Sequence, residues 1–149
     1  MDWFNYYGLI AVIIILIPNI IYAVTNKAAF ENKFNNKAIL VVEQIGRYGC
    51  MIFSIFNIPY TYLGFWFENA LWVYIAVGGF ILLLYCFGWI IFRKGNSLIK
   101  MLWLSITPTL LFCFCGIVIC SAPLIVCAIL FGIGHITVSC RNAEENSRA

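Results

Sequence analysis

The chain has 149 residues, of which 64% are hydrophobic and only 10% charged; this balance excludes an ordinary water-exposed globular domain. The net charge of +3 comes from short clusters of Lys and Arg in several loops, which argues against a nucleic-acid-binding patch and makes the cations markers of topology. The expectation is an all-α integral membrane protein forming a single membrane domain, with no room for a separate soluble unit.

The first span is expected at about 6–25. Asp2 precedes it and Lys and Arg do not, so it lacks the positive start of a signal peptide and is expected to remain in the mature chain. A polar loop with Lys27, Lys33 and Lys37 leads to a second span at about 38–58, stopped at Pro59. An aromatic connector containing Tyr60, Tyr62, Phe65, Trp66 and Phe67 follows, most simply an interfacial anchor. The third span, about 69–91, is closed by Arg93, Lys94 and Lys100.

The remaining apolar run, 101–140, is 40 residues long, about twice what one helix needs to cross roughly 30 Å of hydrocarbon. Cys120, Ser121, Ala122 and Pro123 can break it into a tight helical hairpin with spans at about 101–119 and 123–139. Five spans put Lys27, Lys33, Lys37, Arg93, Lys94, Lys100, Arg141 and Arg148 on one side, whereas four would separate Arg141 and Arg148 from the rest. The positive-inside rule therefore favours five helices, with the N-terminus outside and the C-terminus in the cytoplasm. Trp3, Trp66 and Trp72 fall at the outer interface on this count, and Trp89 and Trp103 at the inner one.

The second span carries the most informative pattern. Glu43, Arg47, Cys50, Ser54 and Asn57 recur at spacings of four and three, forming one polar stripe, while Val41, Ile45, Ile52 and Ile55 lie opposite. An ionisable residue in mid-membrane costs roughly 2.5 to 3.5 kcal/mol on insertion scales, so this helix is expected to be central with its stripe turned inward. Depths counted at about 1.5 Å per residue from the nearest cation place Asn19, Glu43, Arg47, Thr107 and His135 in one cytoplasmic-side layer, about 9 to 15 Å deep. Pro18 and Pro108 lie there too, freeing the carbonyls of Ile14 and Leu104. Together these features predict a polar pocket open to the cytoplasm and closed outside by apolar residues and the aromatic connector.

Small residues form further stripes. Ser105, Thr109, Cys113, Gly116 and Cys120 share a face of the fourth helix, and Ala128, Gly132, His135 and Ser139 a face of the fifth, allowing close helix approach. The third helix is nearly all apolar and suits lipid or a second subunit. The seven cysteines sit in or beside apolar spans and read as small buried hydrophobes. Cys113 and Cys115 lie about 200° apart on a helix and cannot easily share a metal; a Cys120–Cys127 bridge across the hairpin is a minor alternative.

Glu43 and Arg47 stand in the favoured order for an i,i+4 ion pair. In one reading they neutralise each other so that the helix can insert. In the other, Arg47 holds an anion while Glu43 orients it or carries a proton. His135 either exchanges protons with Glu43 or is an interfacial histidine bonded to backbone; Asn19 and Thr107 either line the site or serve packing and kinks.

No zinc-protease, serine-hydrolase, phosphate-loop or clustered-carboxylate motif occurs, so neither cofactor nor metal is expected and an enzyme is disfavoured. No repeat supports an inverted-repeat transporter within one chain. The leading expectation is a cytoplasmic-membrane protein of a bacterium with a pocket lined by Arg47, Glu43, His135, Asn19 and Thr107. It would bind a small anionic solute or lipid headgroup, with transport of that ligand as an extension of the same reading. The alternatives are a structural or regulatory subunit whose stripe docks on a partner, and an enzyme acting on an inner-leaflet lipid. Expected partners are membrane lipids, the anionic ligand, and a homo-oligomer or partner membrane subunit, with no nucleic acid.

Overall fold

A computed structural model describes residues 3–25, 34–92 and 98–148, with side chains up to 143 in the last segment. Five helices follow one another: α1 Tyr6–Thr25, α2 Lys37–Ile55, α3 Ala70–Ile91, α4 Leu98–Val118 and α5 Ala122–Arg148. Each is long and apolar enough to cross a membrane. Lys27, Lys33, Arg93 and Lys94 lie outside the described residues.

Helix boundaries follow local chemistry. Asn36 caps α2 by accepting from the backbone N–H groups of Ala38 and Ile39. Pro18 and Pro108 are carried inside α1 and α4 without ending them. Around them, Asn19, Thr107 and Thr109 donate to the carbonyls of Ile15, Trp103 and Ser105. These acceptors are the immediate neighbours of Ile14 and Leu104, whose carbonyls the prolines free, so polar side chains cluster around each proline. Beyond the expected end near 139, α5 continues to Arg148, because that stretch contains neither glycine nor proline to stop it.

The second helix is shorter than expected, ending at Ile55 instead of 58. The reason is long-range: Phe56 leaves the helix to form a β-bridge with Phe4. Asn5 N–H donates to the Ile55 carbonyl at 2.7 Å, and Asn57 N–H to the Trp3 carbonyl at 2.8 Å. The aromatic connector is tied down similarly, with Tyr62 bridged to Ser121 and Gly64 N–H donating to the Ile119 carbonyl at 3.1 Å. Gly64 has φ +83°, a left-handed conformation that a side chain would disfavour there.

Successive helices run antiparallel. Gly46, Gly49 and Glu43 on α2 face Phe131, Cys127 and Gly134 on α5. Across α4 and α5, Ser105 meets Ser139, Thr109 meets Gly132 and Gly116 meets Ile125. The most extensive interfaces are those of α5 with α2 and with α4; α3 packs on α4, and α1 leans less closely on α2 and α3. The central helices are thus α4 and α5, correcting the expectation that α2 is central. Small residues let α4 and α5 approach closely, whereas Val41, Ile45, Tyr48 and Ile52 leave one face of α2 exposed. The inward orientation of its stripe is as expected, with Glu43, Cys50, Ser54 and Asn57 buried. All seven cysteines are free, including Cys120 and Cys127.

Candidate functional site

The α2–α5 contact holds the principal ionic group. Glycine makes the contact possible, since a Cβ on Gly134 would stand 2.7 Å from the Cα of Glu43. On α2, Gly46 likewise lies against the backbone of Phe131. With the two backbones this close, the Glu43 side chain is only 4% exposed, and an unpartnered carboxylate in that position would carry a large desolvation penalty.

Two donors offset it at one oxygen. Glu43 Oε1 is paired with Arg47 from one turn along α2 and with His135 Nδ1 from α5 at 2.8 Å. The His135 ring stacks on Phe131, centroids 4.8 Å apart and planes within 15°, which sets the imidazole at the angle that reaches Glu43. The carboxylate is therefore shared between one permanent cation and one imidazole ring.

Arg47 is only partly committed to this pair. Its side chain is 32% exposed, and one Nη donates to Glu43 while no other protein acceptor meets it among the described residues. A guanidinium has five N–H donors in a planar fork. Most of that fork is available to another acceptor.

Asn19 and Thr107 are arranged differently. Asn19 Nδ2 donates to the Tyr85 hydroxyl at 2.5 Å and to the Ile15 carbonyl at 2.8 Å, joining α1 to α3. Tyr85 is 2% exposed. Asn19 thus belongs to a second polar group, shared by α1 and α3. Thr107 is buried and its hydroxyl donates to the Trp103 carbonyl of its own helix at 2.7 Å. The structure brings together Glu43, Arg47 and His135, joins Asn19 to Tyr85 in a separate group, and gives Thr107 a backbone partner.

Two features escaped the sequence reading. Lys100, counted there as a loop cation, is 4% exposed in the first turn of α4. Its Nζ lies 4.8 Å from the centroid of the Tyr22 ring and 5.9 Å from that of Trp89, within cation–π range. The aromatic pair at the matching ends of α1 and α3 was the available signal. The second feature is Asn5, buried at the opposite end of the bundle beside Ser54 and Asn57 of the expected stripe. Asn5 Nδ2 donates to the Tyr74 hydroxyl at 3.2 Å, while Ser54 Oγ is buried without a hydrogen-bond partner among the described residues. The N-terminal bridge to Phe56 causes this by folding Asn5 inward.

Among the described residues, no group of three or more His, Cys, Asp or Glu is placed to hold a metal ion. No protein-family model, curated protein or solved structure matches the chain.

Proposed function

We propose that this protein binds an anionic group, borne by a small solute or a lipid headgroup, at Arg47 within the membrane. The carrying observation is the division of labour around Glu43: one oxygen takes both Arg47 and His135, and the rest of the Arg47 fork is left free and partly exposed. An arginine present only to neutralise Glu43 would gain by closing its remaining donors on protein, because an unsatisfied donor in hydrocarbon costs several kcal/mol. Glu43 orients the guanidinium, and His135 Nδ1 bonds the same carboxylate oxygen. Asn19 and Tyr85 supply neutral polar groups on the side of α3.

The orientation proposed with this site is N-terminus outside and C-terminus in the cytoplasm of a bacterium. The Phe34 N–H donates to Asn142 Oδ1 at 3.2 Å, so the start of α2 and the end of α5 share one end of the bundle. Lys37, Lys100 and Arg141 belong to helix segments at that end, which the positive-inside rule assigns to the cytoplasm. The site would then be approached from the cytoplasmic half.

The test is native mass spectrometry of the intact protein released from detergent, comparing wild type with Arg47→Gln. An anionic mass retained by wild type and absent from the variant supports the reading. Identical spectra from two equally folded proteins would overturn it.

A second reading has its own support. The ion pair sits in the glycine-lined α2–α5 contact, where it also serves to register two helices. In that reading the protein is a structural or regulatory subunit, and Glu43→Gln would weaken its assembly without altering any bound mass.

A further inference from the structure

His135 has two ring nitrogens, and the protein commits only one of them. Nδ1 lies 2.8 Å from Glu43 Oε1, while Nε2 meets no hydrogen-bond partner among the described residues. The stack on Phe131 holds the plane of the ring, so the direction of Nε2 is set together with that of Nδ1. His135 and Arg47 keep 24% and 32% of their side-chain surface exposed, against 4% for Glu43. A ligand arriving here therefore meets the guanidinium and the imidazole, while the carboxylate is covered.

The tautomer follows from the partner. A carboxylate oxygen beside a permanent cation only accepts, so the hydrogen of a neutral imidazole sits on Nδ1 and the lone pair on Nε2. Charge balance favours the neutral ring before any ligand binds. Glu43 and Arg47 cancel, and a second ring hydrogen would leave a net positive charge inside the bilayer, where an uncompensated charge is costly.

Two unlike groups then face one ligand. Arg47 offers the N–H donors of its fork that Glu43 does not take, and His135 Nε2 offers an acceptor. Both side chains end on the same oxygen, Glu43 Oε1, so they flank one place and a single small group can touch both. A plain carboxylate or phosphodiester satisfies the fork only. It brings acceptors to the Nε2 lone pair and leaves that lone pair unmatched. A hydroxyl beside the anionic group supplies the missing hydrogen.

We infer that His135 sets the specificity of this site by selecting an anion that carries a hydroxyl, with the anionic oxygens on the Arg47 fork and the hydroxyl donating to His135 Nε2. This rests on the Arg47 reading above and narrows it from any anion to a hydroxylated one. The required chemistry occurs both in a free 2-hydroxy acid and in the glycerol headgroup of a phospholipid.

Matched probes with and without the hydroxyl test the inference on the full-length protein in detergent. Glycolate and acetate are compared by equilibrium dialysis, and phosphatidylglycerol and phosphatidylmethanol with the same acyl chains by native mass spectrometry. Wild type is expected to favour the hydroxylated member of one pair at least fivefold, the acid pair identifying a solute and the lipid pair a headgroup. No preference in either pair overturns the inference; if Arg47→Gln still abolishes retention, the Arg47 reading stands. Retention and preference unchanged in Arg47→Gln bring down both. His135→Asn keeps an N–H donor near the Nδ1 position and lacks Nε2, so it is expected to retain the anions and lose the preference. A preference preserved in that variant overturns the inference.

The chain has a single histidine, which gives a readout on wild type alone. Nitrogen NMR of protein carrying isotope-labelled histidine is expected to show Nδ1 protonated and Nε2 bare without ligand, and the Nε2 signal moving when the favoured hydroxylated probe is added. A hydrogen on Nε2 in the ligand-free protein, or a doubly protonated ring when acetate or phosphatidylmethanol binds, overturns the inference.

Discussion

His135 on α5 and Glu43 on α2 meet at 2.8 Å although 92 positions separate them in the chain. The pair is possible because Gly134, next to His135, lets the α5 backbone rest on that of Glu43. Hydrogen bonding and close packing at this point are one feature, and perturbing either should disturb the other.

Gly134→Val tests the packing. Its new side chain has backbone in its path instead of the movable end of a side chain. The helices must separate, with an expected loss of about 1 to 3 kcal/mol. Thermal unfolding in detergent reads the loss; Gly79→Ala, where a Cβ enters open space, should stay within about 0.5 kcal/mol of wild type.

Removing Glu43 alone should be worse than removing the whole pair. Glu43→Leu leaves Arg47 without its carboxylate, a change expected to cost about 3 to 5 kcal/mol if the site behaves as a buried ion pair. Glu43→Leu/Arg47→Leu should recover most of that stability while abolishing anion retention. Equal stability of the single and double variants would mean that solvent or lipid already screens Arg47.

Lys100→Met keeps the aliphatic stem and removes the charge that faces Tyr22 and Trp89. A destabilisation of about 0.5 to 2 kcal/mol is expected, accompanied by a change in tryptophan emission. A variant as stable as wild type, with unchanged emission, would show that the aromatic contact contributes little.

Cysteine accessibility checks both burial and orientation. Cys50 and Cys115 are buried and should resist maleimide until the protein is denatured. In a background lacking the partly exposed cysteines, Tyr60→Cys should react with a membrane-impermeant maleimide in intact cells. Arg141→Cys should react only after permeabilisation. The reverse pattern would invert the proposed orientation.

Local periodicity determined much of this protein by itself. Apolar runs of about twenty residues specify spanning helices because backbone groups in hydrocarbon must be satisfied within the segment. The 3.6-residue repeat then put Glu43, Cys50 and Ser54 on one buried face, and the Cys120–Pro123 break separated α4 from α5. Tertiary structure decided what those faces meet. The shortening of α2 came from a bridge to Phe4, and the central place of α4 and α5 from paired small residues on both helices. Lys100 was drawn inward by rings on α1 and α3. The helical repeat records which way a side chain points along its own helix; the partner that satisfies it depends on how distant helices pack, because the cost of burying a charge is set by the groups that arrive beside it.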